Sequence, residues 1–178
     1  LAKLLTFSER VLTEKVNYLA KLSSYKIIIV TTEQMGKPVF FELNNNIDIL
    51  HLDVDFDSHY DYSLPKKWRL HKRKLKIYRR KLIEIIKEKN IDICISLCGK
   101  EIEFLNKLPV DCKKVAEIHF SMNSRKLFMT SHYKGVIWRF LGNIRTWQLR
   151  RSVQSLDRFV VLTVQDKLQW EKANVKAS

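Results

Sequence analysis

The sequence predicts an α/β domain with a mainly parallel sheet, and three observations support this prediction. Short β-branched runs alternate with longer segments of helical periodicity, which is typical of parallel sheets flanked by helices. Hydrophobic residues make up 46% of the 178 residues, enough for a well-filled core. Glycine (4) and proline (3) are scarce, which excludes collagen-like and low-complexity chains. Because this length is usual for one domain, we expect a single domain over residues 1–178.

The helices are predicted from apolar residues that recur at a spacing of three or four. The first begins at Ser8, whose hydroxyl can cap free amides, and runs towards Ser23. The longest covers Lys66–Lys89 and combines an apolar stripe with a face dense in Lys and Arg. The remaining predicted helices are Glu101–Leu108, Lys134–Gln154 and Gln165–Lys172.

The strands are predicted from short runs of Ile and Val between polar residues. Tyr25–Thr32 is the clearest of them, and Val39–Leu43 is the weakest. The other predicted strands are Ile47–Leu52, Ile91–Leu97, Lys114–Phe120 and Arg158–Thr163. A doubly wound sheet normally has a strand before its first helix. Here that strand is either missing from the chain or represented by Leu1–Leu5 as its remnant.

Four aspartates follow the third predicted strand with nearly regular spacing, at Asp53, Asp55, Asp57 and Asp61. Alternate carboxylates resemble the start of an EF-hand calcium loop. The glycine and the terminal glutamate of such a loop are absent, and a strand precedes the aspartates where a helix is required. We therefore interpret this segment as a solvated strand exit.

The three cysteines, Cys94, Cys98 and Cys112, follow no secretory signal, so we expect them to stay reduced in a cytosolic setting. A metal site that combines them with His119 is conceivable. However, Cys94 lies inside an apolar run, where free cysteine behaves as a small hydrophobe. We therefore expect no metal.

The charge is strongly unbalanced, since 33 Lys and Arg face 19 Asp and Glu, a formal net charge of +14. Lys66–Lys89 holds twelve basic and two acidic residues, a net of +10. Trp68 lies at its entrance, and indole suits the lipid headgroup region.

No apolar run reaches the ~18 residues that span a bilayer. We therefore predict a cytoplasmic protein, peripheral on the inner face of the cell membrane. The predicted membrane-binding residues are Lys66, Lys67, Trp68, Arg69, Lys72, Arg73, Lys76, Arg79 and Arg80.

Nucleic acid is the rival anionic partner, since its phosphates would attract the same cations. The sequence shows no helix-turn-helix, zinc-finger or RNP-type motif. An α/β sheet of buried strands also offers no evident aromatic platform for bases. The sequence therefore favours the membrane surface over nucleic acid.

Several short motifs resemble a known family through their order and spacing. Glu9-Arg10-Val11-Leu12 opens the first helix, followed by Asn17-Tyr18-Leu19-Ala20 and an Ile-Ile-Val-Thr-Thr strand. Further motifs are Ile91-Asp92-Ile93-Cys94-Ile95-Ser96, Glu117-Ile118-His119-Phe120-Ser121 and Val160-Val161-Leu162-Thr163-Val164-Gln165-Asp166. Together they resemble the N-terminal half of a GT-B glycosyltransferase of family 4, a group that makes bacterial polysaccharides and glycolipids. The resemblance extends from Ser8 to Lys176.

The resemblance implies a Rossmann-like, three-layer domain with ligands outside the carboxyl ends of its strands. In this family the N-terminal half recognises the acceptor, and the C-terminal half, absent here, binds the nucleotide-sugar. The intact protein would be a hexosyltransferase that acts with retention, without a metal or any cofactor besides its nucleotide-sugar co-substrate. The chain alone would be inactive or bind acceptor weakly. Its partner would be a glycan or a lipid-linked acceptor.

The resemblance also suggests site residues. His119 follows a predicted strand, where a histidine of the family touches the transferred sugar or the acceptor, so it is the candidate catalytic residue. The candidate acceptor-binding residues are Ser121, Asn123, Arg125, Glu9, Arg10 and Lys100. Each has a plainer alternative: a histidine at the core edge, an ordinary polar loop, or helix capping and a surface ion pair.

The chain departs from the family pattern at one position. Two glycines usually precede the Glu-Arg pair, where backbone amides approach a phosphate. Here Leu5-Thr6-Phe7-Ser8 carries none, which argues against phosphate contact at this loop. The alternative function is a non-catalytic basic α/β module that binds nucleic acid or anionic lipid.

Overall fold

A computed structural model describes residues 7–22, 24–37, 41–56, 63–119 and 136–178, without the side chains of residues 7–9, 64 and 136–141. The chain divides into two compact units, Leu1–Tyr78 and Arg79–Ser178. The boundary falls within one long helix.

The first unit is built on two parallel strands and one helix that packs against them. Helix α1 (Phe7–Ala20) precedes strand β1 (Ile27–Thr31), and strand β2 (Ile47–His51) pairs with β1 from Ile27 opposite Ile47 to Thr31 opposite His51. Val16 and Ala20 of α1 are buried together with Ile47. Helix α2 (Leu64–Glu88) follows and continues into the second unit.

The predicted strand Val39–Leu43 is wrong in its described part, because residues 41–46 form no strand. The side chain of Asn17 on α1 bonds to this segment instead. Its Nδ2 donates to the carbonyl of Glu42 at 2.9 Å, and its Oδ1 accepts from the amide of Asn44 at 2.8 Å. The backbone groups that a sheet partner would use are therefore held by a helix side chain.

The second unit contains a three-stranded parallel sheet in the order β3-β4-β5. Its strands are β3 (Ile93–Ser96), β4 (Lys113–Ile118) and β5 (Arg158–Val161), accompanied by helices α3 (Val136–Gln154) and α4 (Val164–Lys172). In the core, Trp170 of α4 meets Phe159 of β5 edge to face at 4.9 Å between ring centroids. Ala116 of β4, which is fully buried, belongs to the same cluster.

The C-terminal segment folds back onto the outer edge of β5. Helix α4 ends in a Schellman turn, with Asn174 at φ +59° and the amide of Val175 donating to the carbonyl of Trp170 at 2.9 Å. Ser178 then donates its amide to Phe159 and accepts from Val161, in the pattern of a parallel strand. The intervening Val175 is buried in the core cluster.

The predicted helix Glu101–Leu108 is also wrong, since the chain forms two short 3₁₀ turns there, Lys100–Glu103 and Leu105–Lys107. Phe104, whose backbone angles of φ −133° and ψ −9° are not helical, separates them. A segment this short gains little from helix propagation. The tighter turns allow Phe104 and Leu105 to be buried together.

The alternation of parallel strands with helices confirms the α/β prediction. The described strands form two small parallel sheets, whereas the sequence suggested one, and Leu1–Leu5 lies outside the described residues. No helix in the described ranges is both long and apolar enough to cross a membrane.

Candidate functional site

A buried acid and a histidine meet at the carboxyl end of β4, the central strand of the three-stranded sheet. Parallel sheets bind their ligands at this end of their strands. Nε2 of His119 lies 3.0 Å from Oε1 of Glu117, with side chains 3% and 8% exposed. An ionised Glu117 carboxylate can only accept hydrogen bonds, so its hydrogen bond with His119 requires the proton to be on Nε2.

The second ring nitrogen of His119, Nδ1, has different surroundings within the described residues. Nδ1 is buried and has no hydrogen-bond partner among the described residues. With the proton on Nε2, Nδ1 of the neutral ring carries a lone pair and can accept a hydrogen bond. Burying such an atom unpaired costs about 1–3 kcal/mol. The arrangement therefore suits a ligand that brings a hydroxyl or amine proton to this nitrogen.

The loop after β3 is held by a glutamate of its own. Oε1 of Glu101 accepts from the hydroxyl of Ser96 at 2.6 Å and from the amide of Gly99 at 2.9 Å. The Ser96 hydroxyl oxygen in turn accepts from the amide of Cys98 at 3.0 Å. A carboxylate of the chain thus occupies the position that an external anion would take.

Gly99 allows this arrangement, because a Cβ there would lie 2.6 Å from the Glu101 carboxylate. Lys100 begins the first 3₁₀ turn directly after Gly99 and is half-buried. The amide of Gly99 already donates to Glu101. It is therefore not available to bind an external anion together with Lys100.

Glu117, Ser96 and Glu101 are the residues of this region that sequence reasoning missed. A signal was present for Glu117, because an acid within the apolar run from Val115 to Ile118 is unusual in a buried strand. Alternation along a strand also places residues 117 and 119 on one side. For Ser96 and Glu101 the sequence carried no comparable signal.

The other predicted acceptor residues are not brought to this place in the described structure. Arg10 of α1 pairs through Nε with Oε1 of Glu14 at 2.9 Å, a surface ion pair one turn away. Glu9 belongs to α1, but its side chain lies outside the described residues, and so do Ser121, Asn123 and Arg125.

The described aspartates after β2 serve the local fold. Oδ1 of Asp53 accepts from the amide of Met35 at 2.8 Å. Asp55 engages the ammonium of Lys74, through its carbonyl and through Oδ2 at 3.9 Å. Asp57 and Asp61 lie outside the described residues. Within those ranges, no three His, Cys, Asp or Glu side chains are grouped to hold a metal ion.

The thiols are held in their protonated form. Burial, with a smaller contribution from the nearby Cys112 thiol, raises the pKa of Cys94 to about 12. Burial also raises the pKa of Cys112. Neither residue therefore offers a ready thiolate nucleophile at neutral pH.

Comparison of the sequence with protein-family models and with curated proteins finds no match. The case for a function therefore rests on the residues themselves. Among those described, the Glu117–His119 pair is the arrangement best suited to chemistry, because it fixes a histidine tautomer and leaves a buried acceptor nitrogen.

Proposed function

We propose that this chain is the acceptor-binding half of a retaining hexosyltransferase. The intact enzyme transfers a sugar from a nucleotide-sugar to a glycan or lipid-linked acceptor in bacterial polysaccharide or glycolipid synthesis. The observation that carries the proposal is the buried Glu117–His119 pair at the carboxyl end of β4. The ordered motifs from Ser8 to Lys176 and the parallel pairing of the strands agree with it.

In this proposal His119 binds the acceptor hydroxyl. Glu117 accepts the Nε2 proton and so fixes the ring orientation and the tautomer. Nδ1 then accepts the hydrogen bond of the attacking hydroxyl and directs its oxygen towards the sugar. Such positioning lowers the barrier by removing rotational freedom before the reaction. As the hydroxyl oxygen bonds to the sugar, the bond from the sugar to the donor's diphosphate breaks, and the diphosphate leaves with that electron pair and takes up the hydroxyl proton. The half of the enzyme that binds the nucleotide-sugar holds this leaving group.

The test uses the full reading frame that contains this chain, incubated with radiolabelled nucleotide-sugars and a membrane extract as the acceptor source. We expect His119→Ala to lower transfer about 100-fold, the loss that misplacement of a reacting group can cause. Glu117→Gln should lower the turnover less than His119→Ala does and mainly raise the KM for the acceptor. The imidazole ring remains in this variant, but its tautomer is no longer fixed by a carboxylate.

His51→Ala is the matched control. His51 is exposed at the carboxyl end of β2, and its Nδ1 lies 2.7 Å from the hydroxyl of Thr31. This variant should transfer within a few-fold of the parent. Unchanged turnover in His119→Ala, or no transfer by the parent from any donor, contradicts the proposal.

The exposed basic face of α2 favours a second candidate, a non-catalytic α/β module that binds a polyanion. The coding sequence downstream of Ser178 separates the two. A second α/β domain with paired glutamates supports the enzyme, and an immediate stop codon supports the module.

A further inference from the structure

Helix α3 buries one side in the core of the second unit and presents the other side to solvent. Leu149 and Val153 are buried and belong to the core cluster. Because a helical turn takes about 3.6 residues, their positions fix which residues of α3 point outwards. The outer side carries exposed residues that we call the α3 platform: Asn143, Ile144, Trp147, Gln148 and Arg151.

Trp147 is the centre of the α3 platform and is exposed although it is a large apolar side chain. It is 58% exposed, and the guanidinium of Arg151 lies 5.4 Å from the centroid of its ring. This cation–π contact joins residues one helical turn apart and restricts the orientation of the ring. A ligand that stacks on the indole therefore meets a ring that is already ordered, which lowers the entropic cost of binding.

The chemistry of the α3 platform matches a sugar ring. The face of an indole carries partial negative charge, and the C–H groups of a sugar carry partial positive charge, so the two surfaces attract each other. Asn143 lies one turn before Trp147, and Gln148 follows it. Their amide groups can both donate to and accept from sugar hydroxyls. The platform therefore combines a stacking surface with groups that bind hydroxyls.

The charge of α3 favours an acidic glycan over a neutral one. The helix contains four arginines and no acidic residue. Within the part of the chain that the structure describes, no carboxylate forms an ion pair with Arg151. A guanidinium has several N–H donors, so its contact with the indole leaves donors for both oxygens of a carboxylate.

Two other classes of partner fit the α3 platform less well. Stable protein interfaces bury about 800 Å² on each partner, whereas Ile144 and Trp147 are the exposed large apolar residues in the described part of α3. Single-stranded nucleic acid stacks successive bases on successive aromatic rings. Residues 142–154 contain a single aromatic residue, Trp147. One ring with neighbouring amides suits a sugar better than a strand of bases.

We propose that the α3 platform binds an acidic glycan, with one sugar ring stacked on Trp147 and the carboxylate of the next sugar paired with Arg151. The two residues lie one turn apart, about 5.4 Å, which is close to the length of one sugar unit. The assignment rests on the proposed function, in which the acceptor is a glycan, and names polymers of uronic acids as its class. The platform shares no residue with the Glu117–His119 pair, so it holds a part of the acceptor that does not react.

The test measures binding of the chain to hexasaccharides by isothermal titration calorimetry at about 0.15 M salt, the physiological range. The probes are hexamers of polygalacturonate, alginate and hyaluronan, and neutral maltohexaose serves as the reference. At least one acidic hexamer should bind about tenfold more tightly than maltohexaose, because the neutral sugar lacks the charge-assisted hydrogen bond to Arg151. No nucleotide-sugar is present, so the result does not depend on sugar transfer.

Two variants separate the contributions of the indole and the guanidinium. Trp147→Leu should weaken the binding of the acidic hexamer about tenfold, because the stacking surface is lost. Arg151→Gln should remove the preference for the acidic over the neutral hexamer. Both replacements are good helix formers at exposed positions, so circular dichroism should show an unchanged helix content.

The matched control removes the same two kinds of side chain elsewhere, through the double variant Trp68→Leu, Lys172→Gln. Trp68 is 64% exposed on α2, and Lys172 is exposed on α4. This variant loses one indole and one positive charge, as does the double variant Trp147→Leu, Arg151→Gln. The control should bind the acidic hexamer as the parent does, whereas the platform variant should not bind it measurably.

Absence of binding to all three acidic hexamers would overturn the proposal, and so would equal binding of the acidic and neutral hexamers. An equal loss of affinity in the control and platform variants would also overturn it, since any exposed indole and cation would then suffice. Tighter binding of a single-stranded RNA hexamer than of every acidic hexasaccharide would identify nucleic acid as the ligand instead. If the acidic hexamers do not bind but the full reading frame transfers sugar, the platform is wrong and the proposed function stands.

Discussion

At the scale of single residues, the surroundings of Cys94 decide its chemistry. The residue lies on β3 opposite Lys114 of β4, and that cation alone would favour the thiolate. Burial outweighs it and raises the pKa of the thiol from 9.0 to about 12. The protonated form is therefore the one that the fold stabilises.

This shift predicts slow alkylation of Cys94. At pH 9 the thiolate fraction should be about 500-fold below that of an ordinary cysteine, because half of the thiols are ionised at a pKa of 9.0 and about 0.1% at a pKa of about 12. Iodoacetamide labelling followed by peptide mass spectrometry measures it. Labelling of Cys94 in the folded chain should rise about tenfold with each pH unit and level off only as the pH approaches 12.

Cys112 provides the internal comparison, since its pKa is also raised but it lies less deeply buried. It should be labelled before Cys94 in the folded protein, and both should be labelled equally in denaturant. Equal labelling rates in the folded protein would contradict the assigned burial of Cys94.

At the same scale, sequence reasoning identified His119 and missed its partner Glu117, although an acid in an apolar run was a signal for it. A histidine directly after an apolar strand of an α/β sheet lies at the ligand-binding edge by topology alone. A strand glutamate is normally taken as exposed, so only the packed sheet shows that Glu117 is buried against the ring. That Nδ1 has no partner in the described part of the chain is likewise a property of the three-dimensional surroundings.

At the scale of secondary-structure elements, asparagine ends two of the helices. Asn90 after α2 and Asn174 after α4 both adopt positive φ, and the next residue donates back to the helix in each case. Asparagine tolerates this conformation better than most residues. An asparagine directly after a segment of helical periodicity therefore indicates the end of the helix.

The turn after α4 leads to a prediction about the segment that covers the β5 edge. Val175 is 1% exposed and belongs to the cluster around Trp170 and Phe159. Val175→Ala removes two buried carbons and leaves a cavity, so the free energy of unfolding should fall by about 2 kcal/mol. Urea denaturation followed by fluorescence measures this change.

Lys176→Ala is the control for that measurement, since the neighbouring Lys176 is exposed. Its free energy of unfolding should remain within about 0.5 kcal/mol of the parent value. A stability loss of similar size in both variants would mean that the segment does not depend on its buried side chain.

At the scale of the whole molecule, β4 is the central strand of the three-stranded sheet. It pairs with β3 on one side and with β5 on the other, and Ala116 within it is fully buried. Strands β1 and β2 each have one partner among the described strands. This difference predicts that the two units open with different free energies.

Hydrogen exchange tests that prediction. Amides of β4 should exchange last, because their exposure requires separation of two ladders and opening of the core cluster. Amides of β1 and β2 should exchange earlier, with NMR or mass spectrometry as the measurement. Slower exchange in β1 than in β4 would contradict the predicted order.

The sequence by itself determined the α/β class, most of the helices and strands, and the concentration of charge in α2. These features follow from periodicity and local chemistry, which are carried by neighbouring residues. It failed at Val39–Leu43, where Asn17 holds the backbone, and at Glu101–Leu108, where packing favours 3₁₀ turns. Both failures involve contacts that local propensity does not contain.

The tertiary structure alone decided which strands pair, that Glu117 fixes the His119 ring, and that Glu101 fills its own loop. It also decided that the apolar side of α2 is buried while Arg69, Arg73 and Lys76 are exposed. The physical reason is the same in each case. Burial and hydrogen-bond partners depend on residues that are distant along the chain or on backbone geometry, and only the folded chain brings them together.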